Sequence, residues 1–368
     1  MSAYKRIVVK VGSSLVASTG SGIDRPFIAD LVSQLAELRT GGADVLVVTS
    51  GAVAAGVEAL GLPGRPAEMP SLQAAAAVGQ ARLIAAYAEE FAGHGLIVGQ
   101  VLVTRHDTAH RRQYLHARDT LERLLGMGVV PVVNENDTTA VDELRMGDND
   151  TLAALVAVMA QADLVVLLTD TEGLYTADPR TNDGADLLER VDELTEDMLA
   201  AAGGPGSSVG SGGMLTKVEA ARMLMKAGIP MVLCYGRRPD AVCSAARGES
   251  VGTFFAGGEG ELKSRKLWIA LAHTPAGEVA IDEGAVEALR ARGKSLLPAG
   301  VTGVSGEFVP GDAVVLKGPR GETIARGITG MSSADLRLVS GMRTSEIPKV
   351  LPGYAGEEVI HRDHLVIL

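Results

Sequence analysis

Aromatic residues make up only 3% of this 368-residue chain, against a hydrophobic share of 46%. Ala, Gly and Val therefore supply most of the apolar surface, a mix that suits a parallel sheet under close-packed helices better than a β-sandwich. Cysteine is nearly absent. Cys234 and Cys243 stand in neither CxxC spacing nor a His-rich setting, which argues against a disulfide framework or a structural zinc site and fits a reducing compartment. No apolar run approaches the roughly 18 residues of a membrane span. The N-terminus, MSAYKRIVVK, enters a strand with no signal-peptide region, so the expectation is a cytoplasmic protein. Positive charge is in deficit: 34 Lys and Arg against 45 Asp and Glu give −11. That opposes broad electrostatic capture of nucleic acid or anionic membrane, though lysines and backbone N–H groups can reverse the sign inside one pocket. The seven histidines are scattered, with His106, His110 and His116 the only loose group, and neither HExxH nor Ser-His-Asp occurs. No histidine is assigned a catalytic role.

What is present is alternation. Short β-branched runs at Arg6–Lys10, Asp44–Thr49, Leu96–Val103, Val129–Val133, Asp163–Leu168 and Met231–Cys234 are separated by helical patterns. Ile28, Leu31, Val32, Leu35 and Leu38 recur at helical spacing, with Pro26 in the first turn and Gly41 just past the end. Further helices are expected over the Ala-rich Ser71–Phe91 and after Asp150. The pattern predicts an α/β fold: a mainly parallel open sheet sandwiched by helices over 1–260, with ligands outside the carboxyl ends of the strands. Residues 261–274 read as a linker with a short strand, Leu267–Ala272. Beyond them 275–368 is punctuated by Gly and Pro, with alternating runs at Asp312–Leu316 and Thr323–Ile328, and reads as a small β-rich domain. Its ten Lys and Arg against twelve Asp and Glu leave no basic stripe for RNA.

Polar and Gly-rich clusters fall just after the strands. In KVGSSL, Lys10 leaves a strand into Gly12 and Ser13, where an ammonium and turn N–H groups can face phosphate oxygens; the spacing is not Walker A. In VVTSGAVAAG, Ser50 and Gly51 form a turn a ligand can approach closely. From Val129 to Val158, Asn134, Asn136 and Asp137 follow one strand, and Asp148, Asn149 and Asp150 lead into a helix. Capping would explain one such cluster; two within about fifteen residues offer donors for a carboxylate and carboxylates for an amine or ammonium group. They lack EF-hand spacing, and no protein metal site is assigned. Thr169-Asp170 open an irregular loop of a type that can hold a nucleotide's base and ribose, and a plain surface loop is equally compatible with its composition. The tract GGPGSSVGSGGMLTKVEAA would by default be a flexible linker, but Gly212-Gly213 lead into a helix with Lys217 in its first turn. A cation there is disfavoured by the helix dipole unless an anion is present, and the combination suits a polyphosphate.

Together KVGSSL, TSGAVAAG, NENDT, GDNDTLAA, TDTEGLYTADPR and GSGGMLTKVEAA resemble the glutamate 5-kinases of the amino acid kinase family, and the β-rich tail resembles the PUA domain appended to many of them. The resemblance implies ATP-dependent phosphorylation of the L-glutamate side-chain carboxylate to L-glutamyl 5-phosphate, the first step of proline biosynthesis, with ATP and Mg²⁺. Carried over at matching positions, Lys10 and Lys217 would stabilise the transferring phosphoryl group and Asp150 would organise them. Ser50, Gly51, Asn134, Asp137 and Asn149 would bind glutamate. Gly12, Ser13, Thr169, Asp170, Ser211, Gly212, Gly213 and Met214 would join the two lysines in holding the nucleotide. The family also implies proline as feedback inhibitor, a homo-oligomer (tetramer or dimer), and hand-off of the labile product to glutamate-5-semialdehyde dehydrogenase. Aspartate, acetylglutamate, carbamate and UMP kinases share the phosphate machinery and are the nearest rivals; an RNA-binding protein acting through the tail, or a silent metabolite sensor, are the readings of other classes.

Overall fold

The computed structural model describes residues 2–18, 22–104, 107–108, 111–139, 149–182, 184–203, 213–258, 275–351 and 358–367. The chain forms two compact units, Met1–Asp107 with Arg112–Glu261, and Thr108–Arg111 with Leu262–Leu368. Among the described residues no helix is long and apolar enough to cross a membrane.

In the first unit the strands are β1 (Arg6–Val11), β2 (Ala17–Ser18), β3 (Gly22–Ile23), β4 (Asp44–Thr49), β5 (Val98–Val103), β6 (Val130–Glu135), β7 (Leu164–Thr169), β8 (Arg190–Val191), β9 (Met231–Tyr235) and β10 (Gly252–Phe255). Eight form one sheet in the order β5-β6-β4-β1-β7-β9-β10-β8. From β5 to β9 every pairing is parallel; β10 runs antiparallel to β9 and parallel to β8. The expected strands are all present, with ends moved by one or two residues. β10 and β8 were not anticipated, because β8 is two residues long and β10 carries too few alternations to announce itself.

Strand β1 is buried along Ile7–Val11, as a central strand covered on both faces must be. Ile7, Val9 and Val11 meet Ile28, Leu31 and Leu35 of helix Arg25–Thr40 and Leu83, Tyr87 and Phe91 of helix Met69–Gly93 in one apolar cluster. Helix Asn149–Met159, buried at almost every position, packs on β1, β4 and β7 outside that cluster. Since alternate strand residues point to opposite faces, this second layer covers the other side. Asp24 caps helix Arg25–Thr40 by accepting from Phe27 N at 3.0 Å, with Pro26 in the first turn. At its far end Gly41 keeps right-handed geometry, and the left-handed residue is Gly42, with φ 91°. Both cysteines are buried, and burial pushes each thiol up to about 12, so neither is an activated nucleophile.

Parallel pairing sets the ends of β1, β4 and β7 level, Val11 opposite Thr49 and Leu168. The turns carrying Gly12, Ser50, Asp137 and Asp170 therefore emerge along one edge of the sheet, where ligands of open α/β sheets bind. Behind that edge, helices Ala52–Ala59 and Met69–Gly93 cross backbone to backbone: a Cβ on Gly79 would lie 1.8 Å from Ala52 O, and one on Gly56 1.7 Å from Ala75 O.

The second unit holds β11 (Gly277–Ile281), β12 (Val301–Gly306), β13 (Ala313–Lys317), β14 (Thr323–Ile328) and β15 (Leu365–Ile367), ordered β12-β11-β13-β14-β15. Only β11 and β13 pair in parallel; the other neighbours are antiparallel. Helices Glu283–Arg292 and Ser333–Val339 are capped by Asp282 and Ser332, whose side chains accept from Ala285 N and Asp335 N. Val279, Ile281, Leu289, Leu316, Ile324, Leu336 and Ile360 belong to a separate hydrophobic core. The strand expected at Leu267–Ala272 lies outside the described residues.

Gly79→Ala should destabilise the protein by about 1–3 kcal/mol, the scale of an overpacked contact, outweighing the roughly 1 kcal/mol that Ala gains over Gly in a helix. A lower urea midpoint at unchanged slope is the expected result; an unchanged midpoint would mean that the two helices separate without penalty.

Candidate active site

Asp150 is fully buried and held by two lysines from different parts of the fold. Lys10 Nζ, from the end of β1, lies 2.5 Å from Asp150 Oδ1, and Lys217 Nζ lies 3.2 Å from Oδ2. Thr216 Oγ1 lies 3.0 Å from the same Oδ2 and 2.7 Å from Gly213 O, and its one proton is shared between the two acceptors. The two lysines are themselves 4% and 6% exposed, so none of the three charges is solvated in the ordinary way. An ion in that position depends on its partners, because burial without pairing costs far more than the pair returns. Asp150 sits in the first turn of helix Asn149–Met159, Lys217 in that of helix Met214–Lys226. Two ammonium groups and one carboxylate sum to one positive charge, and two helix N-termini add to it. The result is a preorganised anion site.

Beside the triad lies a line of amides. Asn149 Nδ2 donates to Thr49 O at 2.7 Å, and is 2.9 Å from Ser50 Oγ and 3.0 Å from Asn134 Oδ1. Asn134 Oδ1 also accepts from Glu135 N at 2.9 Å, while its Nδ2 donates to Gln80 Oε1 at 2.6 Å. The Oδ1 of Asn149 is buried and meets no hydrogen-bond donor among the described residues. Gly51 takes φ 100° to begin helix Ala52–Ala59, a conformation that L side chains resist. Asp137 is partly buried; burial pushes its carboxyl above the usual range, and the positive charge of Arg65 works against that.

The structure thus brings Lys10, Asp150 and Lys217 into one ion cluster and Ser50, Asn134 and Asn149 into one hydrogen-bonded group. Gly12 donates its N–H to Leu168 O at 3.3 Å, tying the first turn to β7, and Ser13 is exposed after it. Thr169 is buried and donates to Asp170, which is exposed. Gly213 is the N-cap of helix Met214–Lys226, so Met214 opens that helix. Ser211, Gly212 and Asp148 lie outside the described residues. Two cavities elsewhere, one around Ser33, Arg39 and His94 and one around Tyr4, Arg190 and Phe254, include none of these groups.

Comparison with known proteins speaks to the same chemistry. The amino acid kinase family profile matches residues 5–235 and the PUA domain profile residues 277–351. A glutamate 5-kinase of Geobacter sulfurreducens is 46% identical over 100% of this chain and 99% of its own length. One of Cupriavidus metallidurans is 48% identical over 99% and 98%, and one of Ralstonia pickettii 47% over 99% and 97%. The chain belongs to the glutamate 5-kinases of the amino acid kinase family. A solved structure titled for isopentenyl phosphate kinase matches at TM-score 0.48 and 16% identity, over 68% of this chain and 100% of that one, which is too slight to bear on function.

Two residues that touch these groups were not singled out in the sequence. Thr216 is hidden beside Lys217, and its hydroxyl is identified only by its contact with Asp150. Gln80 is a polar residue in the Ala-rich helix Met69–Gly93, where its only sequence signal is its polarity amid apolar neighbours.

Asp150→Asn should lower stability by about 3–5 kcal/mol, the scale of breaking a buried ion pair from one side, as measured by urea unfolding. The opposite sign is expected at Asp137. Because its folded-state pKa is raised, its ionisation opposes folding, and stability falls as pH rises through the folded pKa. Asp137→Asn should therefore unfold later than the parent at pH 7, with the gain shrinking toward the ordinary carboxylate range; an equal or lower midpoint at pH 7 would contradict this.

Proposed function

We propose that this protein transfers the γ-phosphoryl group of ATP to the side-chain carboxylate of L-glutamate, giving L-glutamyl 5-phosphate in the first step of proline biosynthesis. The buried Lys10–Asp150–Lys217 cluster carries this reading, in a chain matched end to end by glutamate 5-kinases. A glutamate side-chain carboxylate has a reference pKa of about 4.3 and is ionised at neutral pH. It can attack phosphorus directly, forming the acyl O–P bond as the γ-phosphoryl separates from ADP, so no general base is needed. The difficulty is bringing an anion to a polyanion. Lys10 and Lys217, fixed by Asp150, meet the charge on the transferring group without having to reorganise.

Ser50, Gly51, Asn134, Asp137 and Asn149 would bind the amino acid, the Asp137 carboxylate suiting its ammonium group. Gly12, Ser13, Thr169, Asp170 and the Ser211–Met214 segment would hold the nucleotide. Of the carboxylates here, Asp150 is engaged by both lysines and Asp170 is exposed, so the described residues do not fit a dedicated magnesium site. Mg²⁺ would come with ATP, neutralising its phosphates and keeping several waters. Residues 1–260 would form the kinase domain and 275–368 a PUA-like domain, a division supported by the two profiles and the two compact units, and family membership supports proline inhibition, a homo-oligomer and hand-off to a reductase.

The test is an incubation with ATP, Mg²⁺, glutamate and hydroxylamine. Glutamyl hydroxamate that depends on glutamate is the expected product; product only with aspartate or acetylglutamate would move the substrate and keep the chemistry. Lys10→Ala and Lys217→Ala should each slow turnover by roughly 10²-fold or more, the scale of losing one preorganised donor. Asp137→Ala should instead raise the KM for glutamate, and a large fall in kcat at constant KM would remove it from the binding group.

A further inference from the structure

The amide line beside the triad has a direction, set by backbone groups that cannot reverse their roles. Thr49 O can only accept, so the Asn149 atom 2.7 Å from it is the NH₂ nitrogen, and Asn149 Oδ1 is left as an acceptor on the other side. Glu135 N can only donate, so the Asn134 atom 2.9 Å from it is the carbonyl oxygen, and Asn134 Nδ2 must donate elsewhere. It does so to Gln80 Oε1 at 2.6 Å, while Asn134 Oδ1 also receives Asn149 Nδ2 at 3.0 Å. Gln80 thus closes the line at its outer end.

Gln80 is also held where it can do this. Its neighbour Gly79 is pressed onto Ala52 O and Gly56 N, with no room for a Cβ. Two turns further along the same helix face, Tyr87 OH and Thr49 Oγ1 lie 3.1 Å apart, and burial pushes the Tyr87 hydroxyl up to about 12, keeping it protonated. Helix Met69–Gly93 therefore touches both ends of the amide line, Asn134 through Gln80 and Thr49 through Tyr87.

We propose that Gln80 is a positioning residue: by accepting from the buried NH₂ of Asn134 it holds that side chain against Asn149, in an arrangement that leaves the buried Oδ1 of Asn149 open to accept from the ammonium group of the amino-acid substrate. This rests on the reading of the reaction given above, since it takes the acceptor to be an amino acid. Without an acceptor at position 80, Asn134 Nδ2 is stranded. Rotation offers no escape, because Glu135 N and Asn149 Nδ2 both donate to Asn134 Oδ1; the side chain instead shifts as a whole to find a partner for its NH₂, which weakens its hold on Asn149. The substrate's ammonium group would then meet a displaced Asn149.

Steady-state kinetics of the full chain in the hydroxamate assay decide the matter, with Gln80→Leu, Gln80→Glu, Asn134→Leu and the Gln80→Leu/Asn134→Leu double variant. Gln80→Leu should raise the KM for glutamate roughly tenfold or more, the scale of a buried donor left unpaired, with kcat and the KM for ATP within about threefold. Gln80→Glu, which keeps an acceptor, should restore most of the affinity. In the Asn134→Leu background Gln80→Leu should add less than about a factor of two, because the two act as one unit. An unchanged glutamate KM in Gln80→Leu, a parallel rise in the ATP KM, a Glu variant as poor as the Leu variant, or multiplicative losses in the double variant would each overturn the proposal. Gln80→Met gives the same reading if the Leu variant does not fold. Should another amino acid prove to be the acceptor, the KM comparison is made on that one, and the identity of the substrate fails separately from the role of Gln80. If no acceptor turns over, calorimetric glutamate binding to the same variants gives the comparison.

Discussion

A single buried carboxylate has to keep two ammonium groups from repelling each other and from seeking water. Asp150 does this with one oxygen for each lysine, and much of the fold follows from the need to deliver three charges to one spot. Lys10 must come from a central strand, since only a strand covered on both faces holds its end that firmly. Asp150 must come from a helix start lying over the same strands, and Lys217 from a second helix start that packs on the first. The parallel sheet meets these demands because its strand ends and helix starts gather on one edge.

The charge balance explains the kind of chemistry. A site with a histidine base suits a neutral nucleophile whose proton has to leave. This site has instead a fixed positive centre and, adjoining it, a group of neutral amides. A buried positive centre suits an anionic nucleophile, which has no proton to give up. Asp137, in the turn after β6, is a carboxylate whose ionised form opposes folding because it is partly buried.

Helix Met69–Gly93 links packing to the site. Its crossing with helix Ala52–Ala59 through Gly56 and Gly79 brings backbones closer than any side chain would permit. That closeness sets the depth at which Gln80 and Tyr87 reach the strand ends. In the sequence Gly79 looks like a small residue among alanines, and nothing local distinguishes it from Gly93 on the same helix, where a Cβ would meet nothing within 4 Å.

The sequence by itself determined the alternation of strands and helices, the parallel sheet, the small β-rich tail and the phosphate-handling motifs, because apolar periodicity and Gly-rich turns are local properties. It placed Lys10, Asn134, Asn149, Asp150 and Lys217 at or just past strand ends or at helix starts for the same reason. Tertiary structure decided which of them meet. That Asp150 lies between Lys10 and Lys217, that Thr216 joins it, and that Asn134 turns its NH₂ toward Gln80 depend on contacts between residues 54 to 140 positions apart. The antiparallel β10 likewise depended on an edge left open by β9 rather than on its own four residues. Distant pairings of this kind are set by the packing of whole layers and the saturation of buried polar groups, which no stretch of neighbouring residues encodes.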